Sequence, residues 1–317
     1  MTPFGVTSNG TAVEAITMSG HGLSVTVLTY GAIVQDVRLD GVAHGLTVGS
    51  DLLTDYENEM RYFGCVVGPV ANRLQNAEAT IDGKPHRFEA NLNGRHTLHS
   101  GTTGAQSQVW FIDEITENGL ALSLILPNGH GGFPGNRRIE ALYEIISGPT
   151  LRLTLTTTTD APSIANATNH SYWNLDGSND ISGHSIAITA NSYLPTDDID
   201  ALVTGEIRDV TGTPYDLREM TPLTPAKPPL DHTFCVARNR GALMEYLKLT
   251  SASGVAMSVA TTEAGVHIYD ARDAGYCGVA IEAQGWPDAP NKSGFPSIEI
   301  APDKPAVQIT EWRFSKG

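Results

Sequence analysis

The chain has 317 residues, 40% hydrophobic and 17% charged, enough for one large β domain or two average ones with a sizeable core. Its net charge of −15 repels nucleic-acid phosphates and anionic lipid, so neither is an expected partner, and a neutral polar ligand fits better. Three cysteines at long spacings (Cys65, Cys235 and Cys277), with no C-x-x-C, argue against a disulfide framework and a structural zinc site and read as ordinary free thiols.

The N-terminal stretch "MTPFGVTSNG" has neither the basic nor the apolar segment of a signal peptide, and no run of about 18 apolar residues follows anywhere. The expected location is the cytoplasm. Next, "GLSVTVLTYGA" (22–32) alternates Leu23, Val25 and Val27 against Ser24 and Thr26, the pattern of a strand with one buried face. A short helix is expected in "DLLTDYENEM" (51–60). Asp82-Gly83, set between "ATI" and "KPHRFE", predicts a hairpin, and Asp40-Gly41, Asn93-Gly94, Asn128-Gly129 and Asp176-Gly177 mark further turns. In "TLRLTLTTTT" (150–159), Leu151, Leu153 and Leu155 share a face opposite Arg152, Thr154 and Thr156. The proline-rich "TPLTPAKPPLDH" (221–232) reads as a long loop over the sheets, ending abruptly at Asp231-His232. "GALMEYL" (241–247) reads as a second helix, and "AVQITEWRF" (306–314) as a final alternating strand. No βαβ rhythm, glycine-rich phosphate loop or internal repeat interrupts this pattern. The expectation is one all-β domain, 1–317, of two packed antiparallel sheets.

Four stretches carry the polar groups able to do chemistry: "YFGCVVGPVANRL" (62–74), "NGRHTLHSG" (93–101), "ATNHSYWNLDG" (167–177) and "VAIEAQGWPDAPNKSGFPSIEIAP" (279–302). Taken singly, most have a plain structural reading. A histidine in a β protein is usually a hydrogen-bonded or surface residue, Tyr172 and Trp173 suit a core, and Arg73 suits a surface ion pair. Glu282 is different. It directly follows Val279-Ala280-Ile281, and a carboxylate in an apolar strand is costly to bury unless it is paired or functional. His96-x-x-His99 is too short a pattern to imply a metal.

Taken together, the stretches resemble the aldose 1-epimerase (galactose mutarotase) family. "YFGCVVGPVANRL" resembles its Y-F-G-x-x-x-G-R-x-A-N-R-I segment, "TLHSG" its L-H-G-G, and "GGFPGN" (131–136) its G-[FY]-P-G. "ATNHSYWNLDG" is similar to T-N-H-x-Y-[FW]-N-L-x-G, "VTGTPYDLR" (210–218) to V-x-G-T-P-[FY]-D-[FL]-R, and "LDHTF" (230–234) to Y-D-H-x-F. "IEAQGWPDAPNKSGFPS" (281–297) resembles x-E-x-Q-x-[FW]-P-D-x-x-N-x-x-x-[FY]-P-S. The matches keep their order over roughly residues 20–315.

The resemblance implies a galactose-mutarotase-like β-supersandwich and the interconversion of α and β anomers of a free, galactose- or glucose-like aldose. It assigns the general base to Glu282 and the general acid to His170. It assigns sugar contacts to Arg73, His99 and Asp231, with Asn72 beside the binding arginine. His267, in "GVHIYDA" (265–271), stands where many relatives carry glutamine and is expected to face the cleft, opposite to Ile268, and to hydrogen-bond a sugar hydroxyl. Other departures are Pro69 in place of an arginine, Ser100 in place of the first glycine after the histidine, and "AQSQVW" (105–110), which lacks the usual F-D-K before its tryptophan. Tyr172 and Trp173 are expected to fill the core beneath His170.

The chemistry suits these residue types. Ring opening needs one group to take the proton of the C1 hydroxyl and another to give a proton to the ring oxygen, and closure reverses both transfers, so neither a cofactor nor a metal is needed. The expected partner is a monosaccharide, bound by a monomer or weak homodimer. Two alternatives remain: a non-catalytic sugar-binding protein, and a phosphosugar epimerase of the same fold. The latter wants clustered cations, and Arg137-Arg138, with Arg95 beside the histidine turn, are the only candidates.

Overall fold

The computed structural model describes residues 1–317. Period-two alternation dominates it, and the strands assemble into three main antiparallel sheets. The largest has nine strands, in the order Phe111–Ile115, Gly119–Leu126, Arg137–Ile146, Thr150–Thr159, Ala306–Lys316, Val255–Thr261, Met244–Ser251, His184–Ile188 and Thr221–Pro222. A four-stranded meander, Thr2–Val6 through Ile33–Leu39, contributes apolar side chains to the same core. A six-stranded sheet orders Tyr172–Trp173, Val279–Gln284, Gly265–Tyr269, Asp231–Cys235, Ser192–Leu194 and Arg208–Asp209. No helix is long and apolar enough to cross a membrane.

The core follows from the alternation. Leu151, Leu153 and Leu155 are buried, as are Val25 and Val27 of the meander and Ile268 and Ile281 of the six-stranded sheet. Trp173 lies at the middle of this cluster, its ring centroid 5.7 Å from that of Trp312 and 5.6 Å from that of Phe314. One long strand, Ala306–Lys316, pairs on one side with Thr150–Thr159 and on the other with Val255–Thr261. It closes the large sheet late in the chain and brings residues far apart in sequence onto one surface.

Local chemistry sets the turns. Asp82 and Gly83 both have positive φ, 49° and 72°, and join Glu78–Ile81 to Lys84–Arg87 with Ile81 opposite Lys84. Such a two-residue turn matches the twist of the strands it joins. The expected helix at 51–60 is a single turn, Leu53–Glu57, burying Leu53 and Tyr56. The helix expected at 241–247 is not formed. Met244–Ser251 is a strand, with Leu247 and Leu249 buried on either side of exposed Lys248. Leu, Met and Glu favour a helix and the alternation begins only at the end of that stretch, but pairing with Val255–Thr261 overrides the propensity. The proline-rich segment is a loop beyond the edge strand Thr221–Pro222, and it ends where Asp231–Cys235 begins.

Trp173 has about 1% of its surface exposed. Replacing it with alanine is expected to cost about 3–5 kcal/mol, the range for truncating a large buried aromatic. Equilibrium urea unfolding measures this, and a loss below about 1 kcal/mol would be inconsistent with its place in the core.

Candidate active site

Three adjacent strands of the six-stranded sheet set one wall of a cavity of about 360 Å³. Across them Thr233, His267 and Glu282 stand directly opposite one another in a single row. Side chains at every second position share a face, so Asp231 and Tyr269, the next pair along, lie on the same face, while neighbouring Ile268 and Ile281 point into the core. Glu282 is about 1% exposed. Its Oε1 lies 3.5 Å from His170 Nε2, and no lysine or arginine approaches it within salt-bridge distance. Neither Glu282 Oε2 nor His170 Nδ1 has a protein hydrogen-bond partner.

The opposite wall comes from turns. His170 follows the short strand Thr168–Asn169, which pairs with Val66–Val67. Its backbone is fixed on both sides: His170 N–H donates to Cys65 O at 2.8 Å, and Gly64 N–H donates to His170 O at 3.0 Å. Asn169 braces the same corner, donating from Nδ2 to Gly64 O and accepting from Ser171 N–H at Oδ1. This local side-chain bonding, typical of asparagine at turns, is the structural reason for the residue before the histidine.

His99 sits in a tight turn in which His99, Ser100 and Gly101 all have positive φ, 49°, 62° and 86°. Ser100 anchors it by donating to Val70 O at 2.9 Å and accepting from Val70 N–H at 2.8 Å. The hydroxyl that departs from the family pattern therefore has a defined structural role. Asn72 N–H donates to His99 Nδ1 at 3.1 Å, which leaves the proton of the neutral ring on Nε2. Burial pushes this histidine well below its ordinary value of 6.5, and the charges of His170, Arg73 and His267 act in the same direction. His99 is thus a neutral donor.

Asp231 closes the site at its half-exposed end. Arg73 Nη2 donates to its Oδ2 at 3.0 Å, and His267 Nε2 lies 2.9 Å from its Oδ1. Burial alone would raise this carboxyl, but the hydrogen bond from His267 and then the charge of Arg73 outweigh it and hold the group well below the ordinary carboxylate range. Asn72, in the left-handed region at φ 61°, accepts from Arg73 N–H with its side chain. All seven sequence-predicted residues, Glu282, His170, Arg73, His99, Asp231, Asn72 and His267, line this one cavity.

Sequence reasoning missed Tyr62, whose ring centroid lies 4.7 Å from that of His99 and 6.0 Å from that of His170. It also missed Tyr269 and Asp273 at the rim, where the tyrosine hydroxyl donates to the carboxylate. Tyr269 could have been found, since it stands two residues after His267 on the same strand. Tyr172 does more than fill the core: it lines the cavity while stacking on Phe63. Trp173 lies wholly in the core.

Other candidates belong elsewhere. His96 is a brace, accepting from Asn76 N–H at Nδ1 and meeting Asp200 through Nε2. Arg137 is buried and caps backbone carbonyls of residues 127, 130 and 134, while Arg138 pairs with Asp113 and Glu140. His99, His170 and Glu282 present potential ligand atoms within 4.8 Å of one another. Yet a ring whose Nδ1 accepts a backbone N–H keeps its proton on Nε2 and has no second lone pair for a cation, so this trio is a poor metal site.

A family model described as aldose 1-epimerase matches residues 14–311. Galactose mutarotase from Bos taurus is 31% identical over 326 residues, covering 96% of this chain and 94% of that protein. The aldose 1-epimerase of Escherichia coli is 26% identical, covering 92% of each. Among solved structures, an aldose epimerase homologue from C. elegans superposes with a TM-score of 0.89 at 28% identity, covering 96% of this chain and 99% of that one. Galactose 1-epimerase from Lactobacillus acidophilus superposes with a TM-score of 0.86 at 25% identity, covering 99% and 98%.

A partly buried histidine gives the site's surroundings a pH dependence with a defined sign. His232, whose ring centroid is 4.2 Å from that of Tyr215, is lowered from 6.5 to about 4 by burial and then by His267, against the pull of Asp231. Between those two values the unfolded ring binds a proton that the folded one does not. Stability therefore falls as the pH drops through this window. The drop in Tm between pH 7 and pH 4.5 is expected to be smaller in His232→Gln than in the wild type. Equal drops would remove His232 as a source.

Proposed function

The chain belongs to the aldose 1-epimerase family and is an isomerase of that class, and we propose that Glu282 and His170 are its proton carriers. The observation that carries this assignment is the buried pair itself, 3.5 Å apart at the cavity wall, with no other cation on the carboxylate. The two proton transfers take place at oxygens on the same carbon: one leaves the C1 hydroxyl and the other arrives at the ring oxygen. Two carriers side by side suit that task.

In the forward direction Glu282 takes the proton from the C1 hydroxyl as the bond from C1 to the ring oxygen breaks, and His170 gives its proton to that oxygen. The open chain now ends in an aldehyde. Rotation about C1–C2 presents the other face, and closure returns both protons, so each carrier ends as it began. His99 donates to a sugar oxygen, Arg73 supplies charge-assisted donors, and Asp231 accepts from hydroxyls. Tyr62 offers a ring face beside both histidines. The expected substrate is a free galactose- or glucose-like aldose. A phosphosugar is disfavoured because the cavity lining holds Glu59, Asp231, Asp273 and Glu282, and its one arginine is engaged by Asp231. Free thiols at Cys65, Cys235 and Cys277 fit a reducing compartment, and we place the protein in the cytoplasm.

Polarimetry of freshly dissolved aldoses tests the activity and its preference. Glu282→Gln and His170→Asn are each expected to lower kcat by at least about 10²-fold, with unchanged circular dichroism, since each removes one proton carrier. Near wild-type kcat in either would overturn that assignment. Activity is expected to survive exhaustive EDTA treatment, and a loss restored by zinc or calcium would contradict a metal-free reaction.

A further inference from the structure

His267 has no free nitrogen. Its Nε2 is 2.9 Å from Asp231 Oδ1, and its Nδ1 is 2.9 Å from Thr233 Oγ1. Asp231 is ionised and can only accept, so Nε2 carries the ring proton, and in the neutral ring Nδ1 accepts from the Thr233 hydroxyl. Asn72 Nδ2, also a donor, stands off at 3.4 Å from Nε2. Thr233 is 1% exposed, and its hydroxyl makes this one hydrogen bond. Asp231 therefore fixes the tautomer of the ring, and the Thr233 hydroxyl, able to donate or to accept, holds its tilt from the far side, as an outer partner does for a ligand histidine.

The exposures point the same way. The His267 side chain is 5% exposed, whereas that of Asp231 is 27% exposed and faces the cavity. Arg73 holds Asp231 from the other side, with Nη2 at 3.0 Å from Oδ2 and Nη1 at 3.4 Å from Oδ1. A carboxylate has about four acceptor positions, and these contacts leave at least one for a hydroxyl. From this geometry we infer that His267 is a positioning residue for Asp231, the last link of a relay from Thr233 through the ring to the carboxylate, and makes no direct hydrogen bond to the sugar. The inference rests on the proposed role of Asp231 in sugar binding. It replaces the sequence-based expectation that His267 itself holds a hydroxyl, and it predicts that His267 governs substrate affinity through Asp231.

A double-mutant cycle with two side-chain replacements tests this. KM comes from polarimetry, and the Kd for galactose or glucose comes from calorimetry. His267→Ala is expected to raise KM and Kd about 3–10-fold with kcat changed less than about 2-fold, because the contact serves ground and transition states alike. His267→Gln places an amide N–H as many bonds from Cα as Nε2, reaches Asp231, and is expected to stay within about 2-fold of wild type. His267→Asn reaches only the Nδ1 position, toward Thr233, and is expected to behave like alanine. In an Asp231→Asn background, His267→Ala is expected to add less than about 2-fold, because its effect passes through a carboxylate already removed. A full-sized effect in that background would mean a direct sugar contact and overturn the inference. So would rescue by asparagine equal to that by glutamine, or an alanine variant with unchanged KM and Kd. Wild-type protein that binds sugar without turning it over would sink the proposed proton carriers and leave the Kd cycle readable.

Discussion

The burial of Glu282 is the constraint on which the site depends. A carboxylate almost wholly removed from water is costly unless something answers its charge. Here the one group within salt-bridge distance is His170, at 3.5 Å. Elsewhere the chain answers buried carboxylates with permanent cations: Glu263 meets Arg240, Asp270 meets Arg272 and Asp288 meets Lys292. An arginine beside Glu282 would hold it permanently as an anion and could not give up a proton near neutral pH. A histidine can. The choice of partner separates a structural ion pair from one suited to the proton exchange proposed for this site.

The two halves of that pair reach the site by different routes. Glu282, His267 and Asp231 belong to adjacent paired strands, where register fixes their neighbours and a slip of one residue would turn Glu282 into the core and Ile281 into the cavity. His170, His99 and Arg73 follow turns or very short strands, where regular pairing cannot hold them. Side-chain braces do that work: Asn169 on Gly64 and Ser171, Ser100 on Val70, and Asn72 on Arg73. The motifs of this chain are rich in asparagine, serine and glycine because irregular backbone must be fixed by local hydrogen bonds.

This difference explains what was legible in the sequence. The β architecture could be read from period-two alternation, as in Thr150–Thr159, and the hairpin at Asp82-Gly83 from the left-handed preference of those residues. The apolar run before Glu282 marked it as exceptional without any structure. The family resemblance placed all seven expected residues in one cavity, but the residues alone could not. Arg73 and Asp231 are separated by 158 positions, and no local pattern encodes a pairing of that span. The helix expected at 241–247 failed because partner strands outweigh intrinsic preference. The tautomers of His99 and His267 were not legible at all, since they depend on distant groups that meet the rings: Asn72 N–H at Nδ1 of His99 and the Asp231 carboxylate at Nε2 of His267.

Those tautomers give the cavity its polarity. His99 presents a donor at Nε2, because its Nδ1 is taken by Asn72 N–H. Arg73 adds donors beside it, with Nε unpartnered within the protein. Asp231 and Glu282 present acceptors, each with at least one lone pair not used by the protein. A surface that sets fixed donors beside fixed acceptors suits a neutral molecule whose every hydroxyl both gives and takes a hydrogen bond. It suits an anion poorly, because the carboxylates repel it, and a cation poorly, because its nearest donors cannot turn away. The same arrangement leaves the outer atoms of the two proposed proton carriers, Nδ1 of His170 and Oε2 of Glu282, without hydrogen-bond partners in the protein. The residues proposed to bind the sugar are held by hydrogen bonds within the protein, whereas the outer atoms of the proposed carriers are left for a bound molecule to meet.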